Sequence, residues 1–213
     1  PRGDPLAEHT AGVYSVAFSP DGDTLATASG DRTIGLWDVS DPADPAPRGE
    51  PLKGHTAIVR TVVFGPDGNT LATASGDHTV RLWSVADPDR VRPLGAPLAG
   101  HSGVVFAVAF SQDGDTLATG GDDRTVRLWN VSNPGIPVLL SQQLTGHTDA
   151  VLSVGYTPHA LATAGADGTV RLWNTDPDRA TSAICAATRD TFTDREWRRY
   201  VSGETDYAPP CRS

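Results

Sequence analysis

"GHTAIVRTVVFGPDGNTLATASGDHTVRLWS", residues 54–84, sets a histidine, hydroxyl residues, an aspartate and a tryptophan at fixed intervals. Taken alone, it invites a catalytic relay of Asp77, a histidine and a hydroxyl. Its recurrence decides otherwise. Residues 8–38, "EHTAGVYSVAFSPDGDTLATASGDRTIGLWD", and 100–130, "GHSGVVFAVAFSQDGDTLATGGDDRTVRLWN", repeat it closely, and residues 146–174, "GHTDAVLSVGYTPHALATAGADGTVRLWN", repeat it once more. The histidines fall at a constant step of 46 (9, 55, 101, 147), and Trp37, Trp83 and Trp129 keep it. Trp173 arrives two residues early because "FSPDGDTLAT" has become "YTPHALAT".

Each unit reads as strands. "VYSVAF" alternates, "DG" supplies a hairpin turn, and "TLATAS" and "TIGLW" follow as two more. A fourth strand is expected after the Pro-Asp linkers, in "VRPLGAPL" and "IPVLLSQQL". Four short strands in each repeat of this length predict the blade of a β-propeller, so the fold class is all-β. The GH dipeptide, the aspartate six residues before tryptophan and the terminal Trp37-Asp38 resemble the WD40-repeat family over residues 5–181. Glu8 departs from the pattern by replacing the glycine before His9, and Ser84, Asn130 and Asn174 replace the final aspartate. The expected organisation is four blades, at about 6–51, 52–97, 98–143 and 144–181, belonging to a seven- or eight-bladed ring. A short helical extension over 182–213 follows.

The resemblance implies one hydrogen-bonded chain per blade: His9, Thr27, Asp31 and Trp37; His55, Thr73, Asp77 and Trp83; His101, Thr119, Asp123 and Trp129; His147, Thr163, Asp167 and Trp173. Threonine is preferred to Ser29 and Ser75 because it recurs in every blade, whereas the serine becomes Gly121 and Gly165. Catalysis needs an exposed nucleophile, an oxyanion hole and a cleft. Four equivalent copies, each tied to a tryptophan, fit a framework, and no catalytic residue is assigned.

Composition narrows the rest. The net charge is −9, and residues 182–213 are neutral, so the repeats carry all of it; a direct nucleic-acid partner is disfavoured. No run of 18 apolar residues predicts a membrane span. Lys53, the only lysine, stands in "EPLKGHTA", neither a phosphate loop nor a kinase strand. The histidines are spread over separate blades, and His78 and His159 read as surface turn residues, so neither metal nor cofactor is expected. "NVS" at Asn130 reads as an accidental glycosylation match. Arg-, Ala-, Asp- and Gly-heavy usage suggests a bacterial source, and the absence of methionine suggests a piece of a longer chain.

Binding is expected on the top face. Between the repeated valines Val13/Val16, Val59/Val62, Val105/Val108 and Val151/Val154 stand the varied Tyr14, Arg60, Phe106 and Leu152. The resemblance places these, with Ile58, Val104 and Asp122, around the channel mouth, where a protein or peptide would dock. In the tail, "TFTDREWRRYV" reads as a helix start, with Thr193 and Glu196 expected as a capping box and Phe192 with Trp197 as a staple. This ending is similar to that of long actinobacterial WD40 chains carrying an upstream STAND-type NTPase or Ser/Thr kinase, which makes a regulatory region of a signalling enzyme the alternative reading. Cys185 and Cys211 are either a disulfide, implying an oxidising compartment, or two thiols of a cytoplasmic chain. Finally, Pro5–Glu8 reads as a spare outer strand and blade four as lacking one, so further blades from a longer parent, or a second copy, are expected to close the ring.

Overall fold

The computed structural model describes residues 5–87, 90–158 and 160–175. The expected tail helices, Cys185, Cys211 and His159 lie outside the described residues. Two compact units divide the chain: Pro1–Pro158 with Ala162–Arg171, and His159–Leu161 with Leu172–Ser213. Only residues 160–161 and 172–175 of the second are described.

Blade one comprises β1 (Val13–Phe18), β2 (Thr24–Ser29), β3 (Ile34–Asp38) and β4 (Ala46–Pro47). Blade two comprises β5 (Val59–Phe64), β6 (Thr70–Ser75), β7 (Thr79–Ser84) and β8 (Arg92–Ala99), and blade three β9 (Val105–Phe110), β10 (Thr116–Gly121), β11 (Val126–Asn130) and β12 (Val138–Leu144). Each is an antiparallel sheet in sequence order. β13 (Val151–Tyr156), β14 (Ala160–Gly165) and β15 (Val170–Asn174) form a three-stranded sheet. Residues 5–8 belong to no strand in this structure.

Local chemistry explains the strand ends. In the first hairpin the Ser19 amide donates to Thr24 O, Gly22 takes φ 84°, and Asp21 accepts from Ser19 Oγ and the Asp23 amide. This is a longer loop than the two-residue turn that "DG" suggests. Blade one's outer strand is shorter than expected. Pro42, Pro45 and Pro47 offer no N–H to a ladder, and after the two residues of β4 pairing resumes only as an Ile34–Leu52 bridge. Arg48 fastens this segment, with Nη2 2.9 Å from Asp38 and its amide donating to Leu36 O at 2.7 Å.

β1, β5, β9 and β13 contact one another in turn and are the inner strands. They do not alternate strictly. Val13 pairs with Ser29 and Ser15 with Ala28, so Tyr14 has no partner of its own. Arg60 stands in the same bulge of β5 and Phe106 in that of β9. A bulge adds one residue to the two-residue period, which lets Val59 and Val62, three apart, both be buried at 0% and 1% exposure.

The core lies between blades. Ala26, Ala28, Ile34 and Leu36 of blade one meet Val59, Val62, Leu71 and Trp83 of blade two. Ala72, Ala74, Val80 and Leu82 meet Val105, Val108, Leu117 and Trp129 in the same way. Each Val or Leu so buried contributes about 1.5–3 kcal/mol. The first blade's equivalent leading face is bare: Val13, Val16 and Phe18 are 49%, 59% and 62% exposed. On the trailing side, Val170 of blade four is 71% exposed, whereas its counterparts Ile34, Val80 and Val126 are buried.

Candidate functional site

Strand order returns the start of each inner strand and the turn after the second strand to one end of the blade. In blade two, His55 stands just before β5 and Asp77 in the β6–β7 turn. His55 Nδ1 lies 2.8 Å from Asp77 Oδ2 and Nε2 2.8 Å from Thr73 Oγ1, while Trp83 Nε1–H donates to Thr73 at 3.0 Å. The carboxylate can only accept, so Nδ1 carries the proton and Nε2 accepts from Thr73. Donation then runs one way, from indole to hydroxyl to imidazole to carboxylate. Blade one has His9–Asp31 at 3.0 Å, His9–Thr27 at 2.7 Å and Trp37–Thr27 at 3.1 Å. Blade three has His101–Asp123 at 3.0 Å, His101–Thr119 at 2.8 Å and Trp129–Thr119 at 3.1 Å. In blade four His147 meets Asp167 at 2.9 Å and Thr163 at 2.8 Å, and Trp173 lies half-buried on β15.

Most of what holds each aspartate lies outside the four-residue sets. Asp77 also accepts from the Thr56 amide at 3.0 Å, the Thr79 amide at 3.0 Å and Thr79 Oγ1 at 2.6 Å. Thr33, Thr125 and Thr169 bond Asp31, Asp123 and Asp167 likewise. The signal was present, since a threonine stands two residues after the aspartate in all four units. Ser29 and Ser75 turn instead to the main-chain carbonyls of Ala11, and of Ala57 and Ile58.

Burial by itself would raise the Asp77 carboxyl, but hydrogen bonds from His55, Thr79 and Thr56 outweigh it and hold the group well below the usual carboxylate range. Asp31 and Asp123 are held low by equivalent bonds against the same opposition from burial. Asp167 is held low mainly by the Thr148 amide and Thr169. Burial pushes His101 below its ordinary 6.5, and Asp123 offsets only part of that. Thr73 and Thr119, where a relay would need its nucleophile, are 0% exposed. Among the described residues no three His, Cys, Asp or Glu side chains gather as metal ligands.

The departure at Glu8 has a structural counterpart. A Cβ at Gly54 would lie 3.2 Å from Trp83 Cη2 and 3.4 Å from Arg81 Cζ; one at Gly100 would lie 3.1 Å from Arg127 Nη1. Arginine on the third strand thus covers the glycine before histidine. In blade one Glu8 stands at that place and the arginine is replaced by Gly35. A Cβ at Gly35 would meet Thr27 Oγ1 at 2.7 Å and Trp37 Nε1 at 3.0 Å.

At the same end of the blades lie the varied residues. Tyr14 and Leu152 are 53% and 50% exposed, Arg60 and Phe106 are half-buried, and Asp122 is exposed. Ile58 and Val104 are half-buried, and their carbonyls accept from the amides of Gly76 and Asp122. Arg60 Cζ lies 4.9 Å from the Tyr14 ring centroid and 5.7 Å from that of Phe106, within cation–π range of both. Thr61 Oγ1 donates to Phe106 O at 2.5 Å and ties the bulge of blade three to blade two. The three contact residues are visible in the sequence; their convergence on one guanidinium depends on the bulges and is not.

Comparison with known proteins gives the same repeat. Residues 16% of the chain in extent are 54% identical, over 35 positions, to "Protein Mut11" of Chlamydomonas reinhardtii, covering 10% of that protein. A 38-residue stretch, 18% of the chain, is 47% identical to "THO complex subunit 3" of Arabidopsis thaliana, covering 12% of it. The chain therefore matches about a tenth of the length of either relative. The family model "WD domain, G-beta repeat" matches residues 4–38, 48–84, 92–130 and 139–174, more than half of the sequence, with β8 and β12 each counted in the repeat that follows their sheet, and the chain belongs to the WD40 repeat family.

Proposed function

We propose that this chain is a non-catalytic scaffold that docks a protein or peptide segment on the blade end where the inner strands begin. Repeats of this family imply protein interaction, and the observation that carries the site is the Tyr14–Arg60–Phe106 series, exposed at Tyr14 and half-buried at Arg60 and Phe106, with the exposed Leu152 beyond it. Aromatic and arginine side chains are the residue types that anchor interfaces. The His, Thr, Asp and Trp sets act as the framework that fixes the loops beneath. A random peptide library selected on the immobilised chain tests this reading. Ligands should lose binding on Tyr14→Ala and Leu152→Asp but not on Asp113→Asn, at the opposite end; ligands indifferent to Tyr14 and Leu152 would overturn the site.

The bare leading face of blade one supports a second proposal, that it is covered by the trailing face of another blade. Ala162, Ala164 and Val170 reproduce the Ala26–Ala28–Ile34 pattern that covers Val59 and Val62 within the chain. For the isolated chain the occupant is a second copy. Light scattering should give a dimer that Val16→Glu with Phe18→Glu converts to monomer. A monodisperse wild-type monomer would refute it.

A further inference from the structure

We infer that the Arg60 site takes a carboxylate, so that the docked segment is an acidic peptide carrying Asp or Glu opposite the Tyr14–Phe106 gap; this rests on the docking site proposed above. Among the described residues, Arg48 is engaged by Asp38, Arg90 by Asp87 and Arg127 by Gln143. Arg60 has no ion pair among the described residues, and its Nε is buried without a hydrogen-bond partner there, as are those of Arg81, Arg127 and Arg171; Arg60 alone of these lies over aromatic rings. Its surroundings are two rings, and rings hold a guanidinium in place without neutralising it or consuming its N–H donors. The result is a fixed, partly desolvated positive charge, the arrangement that recognises a planar anion by paired hydrogen bonds.

A second feature of the same end points the same way. Arg32, His78 and Arg124 take φ of 73°, 69° and 67° in the turns after the second strands, where blade four has Gly168 at 76°. A left-handed backbone costs a side-chain-bearing residue about 1–2 kcal/mol, and blade four shows that glycine serves in this turn. Arg32, His78 and Arg124 are exposed, and the two arginine side chains have no ion pair among the described residues. In a chain of net charge −9, the first three blades thus present uncompensated basic groups at one end. The aspartates of these turns are occupied in the interior, and Asp122 and Asp149, in blades three and four, are exposed. A single guanidinium between rings suits one carboxylate on an otherwise apolar segment, and the acidic body opposes nucleic acid.

The peptides selected from the random library supply the test. They should be enriched in Asp or Glu at one position, and replacing that residue by Asn or Gln should weaken binding about ten- to a hundredfold, as expected for a charge-assisted hydrogen bond. Arg60→Gln should have the same effect and abolish the difference between acidic and amide peptides. Arg60→Glu should favour the version with Lys at that position, which separates charge recognition from a folding defect. Peptides that need Tyr14 and Leu152 but carry no acidic residue, or that bind Arg60→Gln undiminished, would overturn the carboxylate and leave the docking site standing. Peptides indifferent to all these variants would remove the docking site itself.

Discussion

Replacing Asp77 by alanine tests the interior network at its most connected atom. The carboxylate accepts from His55 Nδ1, the Thr56 and Thr79 amides and Thr79 Oγ1, at 2.6–3.0 Å. His55 is 6% exposed, so its ring N–H finds no water when the acceptor goes. An orphaned buried donor costs about 1–3 kcal/mol, whereas the Thr79 hydroxyl and the exposed Thr56 amide reach solvent and contribute little. The expected loss is therefore about 2–3 kcal/mol. It should be local, because repeats couple chiefly to their neighbours. Denaturant midpoints followed by tryptophan fluorescence give the total, and amide exchange at Thr56 and Thr79 gives the place. The pH dependence supplies a sign. Because the folded Asp77 pKa lies below the ordinary 3.8, its contribution is complete above about that pH and disappears as pH falls through the folded value. Wild type and Asp77→Ala should converge in strong acid. A loss under about 0.5 kcal/mol at neutral pH, or a difference that persists unchanged in acid, would refute the reasoning; Asp122→Ala, which removes an exposed carboxylate outside the network, serves as the control.

Three further outcomes are expected. Arg124→Gly should raise stability by up to about 1 kcal/mol, relief of the left-handed backbone exceeding the greater freedom of glycine in the unfolded chain, as read from thermal midpoints; a loss would show that the arginine side chain stabilises the turn. Tyr156 Oη is buried without a hydrogen-bond partner among the described residues, and Phe64 and Phe110 hold the equivalent places, so Tyr156→Phe should be neutral or stabilising by about 1 kcal/mol; burial also pushes its phenol up, so in ultraviolet titration its ionisation should fall above the ordinary value of 10. His101 has a folded pKa below 6.5, so its contribution is complete above that pH and declines as pH falls through the folded value; His101 ring resonances titrating above 6.5 would contradict this.

The inner and middle strands were legible because apolar period, turn glycines and repetition agree. "VYSVAF" and "TLATAS" are β1 and β2 residue for residue, and "TIGLW" misses β3 by one. Blade one's outer strand was not legible, since its propriety depends on how many N–H groups the prolines leave for pairing with β3. Alternation misled at Tyr14, Arg60 and Phe106. Three-residue spacing of Val13 and Val16 was itself a sign of the bulge, but only the register with β2 turns that spacing into geometry. The interior sets could be named because the resemblance implies them and repetition selects the threonine; the contact between Arg60 and two rings from neighbouring blades could not, because it joins residues about 46 positions apart.

The exchange of Gly54 and Arg81 for Glu8 and Gly35 governs how these repeats can be cut and rejoined. Both members of each pair lie inside one unit, so a splice at the linkers moves them together and every blade keeps its match. A splice inside a blade, between the histidine and the third strand, breaks the linkage. One product sets a glutamate beneath an arginine in a space shaped for glycine; the reciprocal product sets glycine against glycine and leaves the indole uncovered. Blade one and blade two look interchangeable at most positions, yet their halves are not. For anyone lengthening or shuffling this array, the joint belongs in the Pro-Asp segments.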